Sequence, residues 1–234
     1  MAVVDPEAFS VPASSGPLRL AYVSAGEVEE NRPYWAQING KPFIVEANPD
    51  WAGDHRVDLR SKEWRTLLGD KVIPGALTHG YQGVMLDTLD VAEYLESKDP
   101  VRFKGSMQAA ADFVIALRKS RPNAVILVNN ALPLLDRIGA AIDGVVVEDL
   151  YTRCIPKEKT CRPTPSETSA AKEKALKAFQ EATGKPVFVL LYANLKQNDA
   201  RWIRDAVRRT RRNGFRPYLT PPSLTRLGRI DPMP

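Results

Sequence analysis

The sequence predicts an α/β fold of the (β/α)8 TIM-like barrel type, with the first and last units cut short. Three observations carry this. Short apolar runs alternate with segments of helical periodicity along 234 residues, a length that a single barrel domain fills. Two of the runs, Gly83-Val84-Met85-Leu86-Asp87 and Gly144-Val145-Val146-Val147-Glu148, pass from a glycine through an apolar triplet to an acid. That is the pattern of a strand buried on both faces that stops at the mouth of a sheet. A doubly wound open sheet, the runner-up, would display a Gly-rich phosphate turn, and neither G-x-G-x-x-G nor a Walker sequence occurs.

In order, Ala2 to Val4 reads as the remnant of a first strand, and the loop-like Pro12 to Pro17 is too short for a crossover helix. Leu18 to Val23 is a second strand ending in Ser24. Residues 41–54, with several prolines and glycines and Trp51, read as a long loop. Arg56 to Arg60 is a third strand, after which Ser61 caps a helix carrying Trp64, Leu67 and Leu68. The Asp87 strand is fourth. A helix from Met107 to Leu117 leads to a fifth strand, Ala124 to Val128, ending in Asn129. A short helix from Leu132 to Ile138 precedes the sixth, which ends at Glu148. A helix from Ser166 to Ala182 leads to a seventh strand, Val187 to Leu191, ending in Tyr192-Ala193-Asn194. A helix from Asp199 to Arg212, stopped by Asn213-Gly214, leads to an eighth, Phe215 to Leu219. The whole chain, 1–234, is expected to be one domain.

The composition, 44% hydrophobic and 26% charged, is that of a globular protein. No apolar run approaches the roughly 20 residues of a membrane span. No signal peptide opens the sequence, so an exported protein would have lost its leader. Much of the net charge of +5 lies in Arg201, Arg204, Arg208, Arg209, Arg211 and Arg212 on one late helix. This reads as a solvated face, and no nucleic-acid partner is expected.

Cys154 and Cys161 lie in a Pro/Lys/Thr-rich loop after the Glu148 strand. A disulfide closing that loop, and hence an oxidising compartment, is the favoured reading, with two reduced thiols as the alternative. His55 and His79 are the only histidines and have no ligand spacing to the cysteines, so no metal site is expected. The same scarcity of bases, and the lack of G-x-S-x-G, argue against a serine nucleophile.

On the barrel reading the strand ends bring Ser24, Asp58, Asp87, Asn129, Glu148 and Tyr192 to one rim. Two carboxylates across a sugar-sized gap suit glycoside hydrolysis: one donates a proton to the leaving oxygen, the other attacks or activates water. The bland alternative is that Asp87 and Glu148 cap helices or pair with arginine. A magnesium site on Asp87 and Asp90 has only a common acid spacing behind it.

Tyr22-Val23-Ser24-Ala25-Gly26-Glu27, Val57-Asp58-Leu59-Arg60, Gly83 to Asp90 and the Glu148 strand together resemble glycoside hydrolase family 114, which contains endo-α-1,4-polygalactosaminidases. The resemblance runs from about residue 2 to about residue 220 and implies a (β/α)8 barrel that hydrolyses α-1,4-linked galactosamine polymers. It implies Asp87 and Glu148 as the catalytic pair, Asp87 as nucleophile and Glu148 as acid/base, with Asp90 in reserve for the first role. Around them Tyr22, Ser24, Glu27, Asp58, Asn129, Tyr151 and Tyr192 are expected to contact substrate. No cofactor is implied. The expected protein is a monomer, secreted or in the cell envelope, whose partner is a polysaccharide. The alternative is a barrel of the same family that binds carbohydrate without cutting it.

Overall fold

The computed structural model describes residues 1–8, 17–155, 160–193 and 200–224. Most of the Pro12 to Pro17 loop, together with Asn194 and Asp199, lies outside them. The chain divides into two compact units, Met1–Asp143 and Gly144–Pro234.

In the first unit, β1 (Ala2–Val4), β2 (Arg19–Ser24), β3 (Glu27–Glu29), α1 (Trp35–Ile38), β4 (Ile44–Ala47), β5 (Asp54–Val57), α2 (Lys62–Leu67), α3 (Ile73–Thr78), β6 (Gly83–Asp87), α4 (Val91–Lys98), α5 (Ser106–Ser120), β7 (Val125–Asn129) and α6 (Leu135–Ile138) follow one another. Strands β1, β2, β6 and β7 pair side by side, all parallel, with Ser24 level with Asp87 and Leu86 level with Val128. Leu20, Ala21, Val84, Leu86, Ile126 and Val128 are fully buried, as strands covered on both faces require. Gly83 permits the close β6–β7 approach, since a Cβ there would stand 2.0 Å from the Val125 carbonyl oxygen. Ser61 caps α2 by accepting from the Trp64 amide at 3.3 Å.

One expected strand belongs elsewhere. The segment read as a third parallel strand, Arg56 to Arg60, supplies only its first two residues to β5, which pairs antiparallel with β3 and β4 in a separate three-stranded sheet. The supposed loop 41–54 holds β4 and the turn into β5. A short alternating run defines two faces but not its neighbour. Here the Trp51–Gly53 turn folds β5 back on β4, so the ladder closes locally. Asp58 accordingly follows a strand of this small sheet, not a parallel strand.

The second unit holds β8 (Gly144–Val147), β9 (Thr152–Ile155), β10 (Thr160–Pro163), α7 (Ser166–Thr183), β11 (Val187–Tyr192), α8 (Ala200–Arg212) and β12 (Arg216–Thr220). Strands β8, β11 and β12 are parallel in that order. Gly184, at φ 67°, ends α7 in the left-handed conformation that glycine adopts without strain. The cysteine loop is an antiparallel β9–β10 pair, and a disulfide joins Cys154 to Cys161 directly across it. The linked residues are seven apart in sequence, a closure worth about 2.5 kcal/mol on chain entropy. The double variant Cys154→Ser/Cys161→Ser should lose about that much stability, read as a lower urea midpoint, and wild type in reductant should fall to the same midpoint.

Candidate active site

The first unit builds a hydrogen-bonded cluster where three parallel strands stop. Asp87, the last residue of β6, accepts at Oδ2 from the Tyr22 hydroxyl of β2 at 2.8 Å. Its Oδ1 accepts from Asn129 Nδ2 at the end of β7 at 2.9 Å and from the Thr88 amide at 2.7 Å. A carboxylate offers about four lone-pair sites, so the three donors orient Asp87 and, among the described residues, leave one site on Oδ2. Burial first, and the Asp87 charge second, push the Tyr22 phenol well above its ordinary range. It therefore keeps its proton and remains a donor.

Thr88, which sequence reasoning passed over, is the hub beneath this carboxylate. Its hydroxyl donates to the Asp87 carbonyl at 2.7 Å and accepts from the Gly26 amide at 2.9 Å. Its one proton being used, Ser24 Oγ, 2.9 Å away, is the donor in their contact. Thr88 sits at φ 60°, where a β-branched residue is a backbone outlier. Asn130, just after β7, has φ 54°, and Asp149, just after Glu148, has φ 53°. Such strain clusters at functional sites, and here it falls just past the ends of β6, β7 and β8. No propensity rule places threonine in this conformation, so the sequence carried no signal for it. The loop after β2 is braced from behind by Trp64, fully buried, whose Nε1 donates to the Ala25 carbonyl at 2.7 Å.

Glu27 opens β3 directly after Gly26. It is buried, accepts from Asn48 Nδ2 at 2.8 Å and lies 3.8 Å from Arg56 Nε. Burial, with the Asp54 and Asp90 charges adding to it against Asn48 and Arg56, pushes its carboxyl up to about 7. Between the ordinary 4.5 and about 7, the folded chain holds a proton that the unfolded chain releases, so this group's contribution to stability falls as pH rises across that window. Glu27→Gln should therefore match wild type in melting temperature near pH 4.5 and exceed it at pH 8. Equal melting temperatures at both would show that folding leaves the Glu27 carboxyl at its ordinary value.

The remaining expected residues are placed as follows. Ser24 supports Thr88. Asp58 holds Arg60 through both carboxylate oxygens, with Nη2 to Oδ2 at 2.6 Å, and makes no hydrogen bond to the Asp87 cluster among the described residues. Asp90 is exposed at the start of α4. In the second unit, Glu148 follows β8, its backbone carbonyl held by Lys172 Nζ at 2.9 Å. Beside it, burial pushes the Asp149 carboxyl up against the opposing pull of Lys172 and Arg153. Tyr192 closes β11 level with Thr220 and is buried. Tyr151, expected as a substrate contact, lies four residues past the end of β8. It is buried, its hydroxyl accepts from Asn213 Nδ2 at 2.7 Å and bonds Glu173 of α7, and Arg209 of α8 covers its ring at 4.8 Å. It fastens the helix layer. Among the described residues no group of three or more His, Cys, Asp or Glu side chains is arranged to hold a metal ion.

Parallel strands alternating with helices place the chain in the α/β class. The chain belongs to glycoside-hydrolase family GH114, which residues 2–231 match. Its fold is shared with the glycoside hydrolase domain of PelA from Pseudomonas aeruginosa, at a TM-score of 0.78 and 23% identity over 91% of this chain and 81% of that one. Ega3 of Aspergillus fumigatus, solved in complex with galactosamine, matches at 0.69 and 17% identity over 91% and 78%. Among sequence relatives, uncharacterized proteins of Thermotoga maritima and Deinococcus radiodurans are 25% and 27% identical, each over 92% of this chain and 68% of the relative. No described helix is long and apolar enough to cross a membrane.

Proposed function

We propose that the whole chain acts as one glycosidase domain that cleaves an α-1,4-linked galactosamine or N-acetylgalactosamine polysaccharide. The observation that carries this reading is Asp87, held by Tyr22, Asn129 and Thr88 at the end of a parallel strand with one lone pair left on Oδ2. In the proposed reaction Oδ2 attacks the anomeric carbon while Glu148 gives its proton to the departing glycosidic oxygen. Glu148 then takes a proton from water, whose oxygen displaces the Asp87 ester and returns both carboxylates to their starting forms. Tyr22 and Asn129 hold the nucleophile in line through its hydrogen bonds, and Tyr192 is proposed as a substrate contact.

Support for the sugar comes from the family match and from the galactosamine bound to the Ega3 relative. The carboxylates of Asp54 and Asp90, whose charges both reach Glu27, suit a partly deacetylated, cationic chain. The Cys154–Cys161 disulfide supports work outside the reducing cytosol. The test is reducing-end release from a panel of polysaccharides that includes α-1,4-galactosamine polymers at several degrees of acetylation. Release from those polymers is the expected result. Binding without release from any polymer would reassign the chain as a carbohydrate-binding barrel.

A further inference from the structure

The outer face of α8 has no part in the proposed chemistry. At about 100° per residue, Arg201, Arg204, Arg208, Arg211 and Arg212 fall within an arc of about 100°, and all five are exposed. Ile203, Ala206, Val207 and Thr210 occupy the opposite side and are buried. The row runs about 16 Å along the axis, at about 1.5 Å per residue.

A solvated face explains this row poorly. All six basic residues of the helix are arginine, none lysine, and with Asp205 as the only acid the helix carries +5, equal to the formal charge of the entire chain. Arg201/Arg204, Arg204/Arg208, Arg208/Arg211 and Arg208/Arg212 are like-charge neighbours at three- and four-residue spacing, which destabilise a helix. Arg208 pairs with Asp205, but Arg201, Arg204 and Arg212 have no ion pair among the described residues. Arg209 is fixed by Glu173 at 2.7 Å and by the Tyr151 ring. With Asp205, Arg208 and Arg212 it lines a surface hollow in the row. Guanidinium is the group suited to bidentate capture of oxyanions.

We infer that this face of α8 binds the phosphodiester backbone of a nucleic-acid duplex without regard to sequence. A duplex presents one charge per roughly 1.7 Å of its axis, so a straight row about 16 Å long meets a dense line of phosphates. The arc carries no aromatic residue on which bases would stack, so the contact reads backbone alone. It carries no apolar residue to enter a bilayer either, which disfavours a lipid surface. A cationic amino-sugar chain is repelled by it, so the face serves a ligand other than the proposed substrate.

The test is a fluorescence-anisotropy titration of the full chain with two mixed-sequence duplexes of unrelated sequence, across about 50 to 200 mM salt. Both duplexes are expected to bind equally, with a log–log salt slope of about −4.5, from about 0.9 for each arginine of the row on a phosphate. The triple variant Arg204→Gln/Arg208→Gln/Arg212→Gln should lose about tenfold or more in affinity and about 2.7 of that slope. The corresponding triple lysine variant should retain the slope, and far-UV circular dichroism checks that α8 persists in both. No binding at the lowest salt overturns the inference, as does a glutamine variant that stays folded and binds like wild type. Tighter binding to phosphatidylserine vesicles or to polygalacturonate than to either duplex overturns it as well, and assigns the row to that ligand.

Discussion

Asp87→Asn and Glu148→Gln should each lower reducing-end release from an α-1,4-galactosamine polymer by at least about 10³-fold, since acid–base catalysis alone supplies about 10²–10⁴. The fold should be untouched. At Asp87 the substitution replaces one acceptor oxygen with an amide, and the Tyr22 hydroxyl can turn to accept from it, so the cluster of Tyr22, Asn129 and Thr88 keeps its hydrogen bonds. At Glu148 the backbone carbonyl accepts from Lys172 Nζ, a contact that glutamine preserves. Tyr22→Phe separates orientation from chemistry. It removes the donor to Oδ2 and leaves the carboxylate in place, so kcat should drop by about tenfold, with a free-energy cost near that of one hydrogen bond to a charged group. If both carboxylate variants release sugar at the wild-type rate, the assignment of the pair is wrong. Asp90→Asn, the reserve for the nucleophile, then becomes the variant to measure.

Gly26→Ala is expected to cost about 3 kcal/mol or more, at the upper end for adding one carbon to a packed site. A Cβ at Gly26 would lie 2.1 Å from the Thr88 carbonyl oxygen and 2.9 Å from Val91 Cβ. That oxygen accepts from the Val91 amide as α4 begins, and the Gly26 amide itself donates to Thr88 Oγ1. Relief therefore requires moving the residue that already sits at φ 60° beside Asp87. Activity should fall further than the population of folded protein does. Ser24→Ala is the mild companion: it removes one hydrogen bond to the same threonine and should cost about 1 kcal/mol. Urea midpoints for the two variants, set beside kcat for the folded fraction, measure both effects. An alanine variant with wild-type midpoint would mean that the β2–β3 turn relaxes without cost.

Gly26 also marks how much of the site could be read directly. The run Tyr22 to Glu27 stood out as a unit, and so did the acids at the ends of β6 and β8, because a buried parallel strand is a continuous apolar stretch that must stop where its chain meets water. That stretch identifies itself from its own residues. The same counting put Asp58 at the end of a parallel strand, and the resemblance put Tyr151 among the substrate contacts; the local pattern says less about both. Asp58 stands after a strand that turned back on its own neighbour, and Tyr151 has its hydroxyl engaged by α7 and by the residue after α8. A residue one or four positions past a strand points where its partners allow, and the partners of Tyr151 lie far along the chain.

What the sequence determined by itself is therefore local: the alternation of strand and helix, the acids where two strands end, the cap at Ser61 and the arginine content of the last helix. Each follows from the period and stereochemistry of a single segment. The tertiary structure decided which of these residues meet. Tyr22 reaches Asp87 across 65 residues, Gly26 reaches Thr88 across 62, and Asn129 reaches Asp87 across 42. A hydrogen bond depends on two groups arriving within about 3 Å. Periodicity sets the face that a side chain occupies and carries no record of what will stand opposite it.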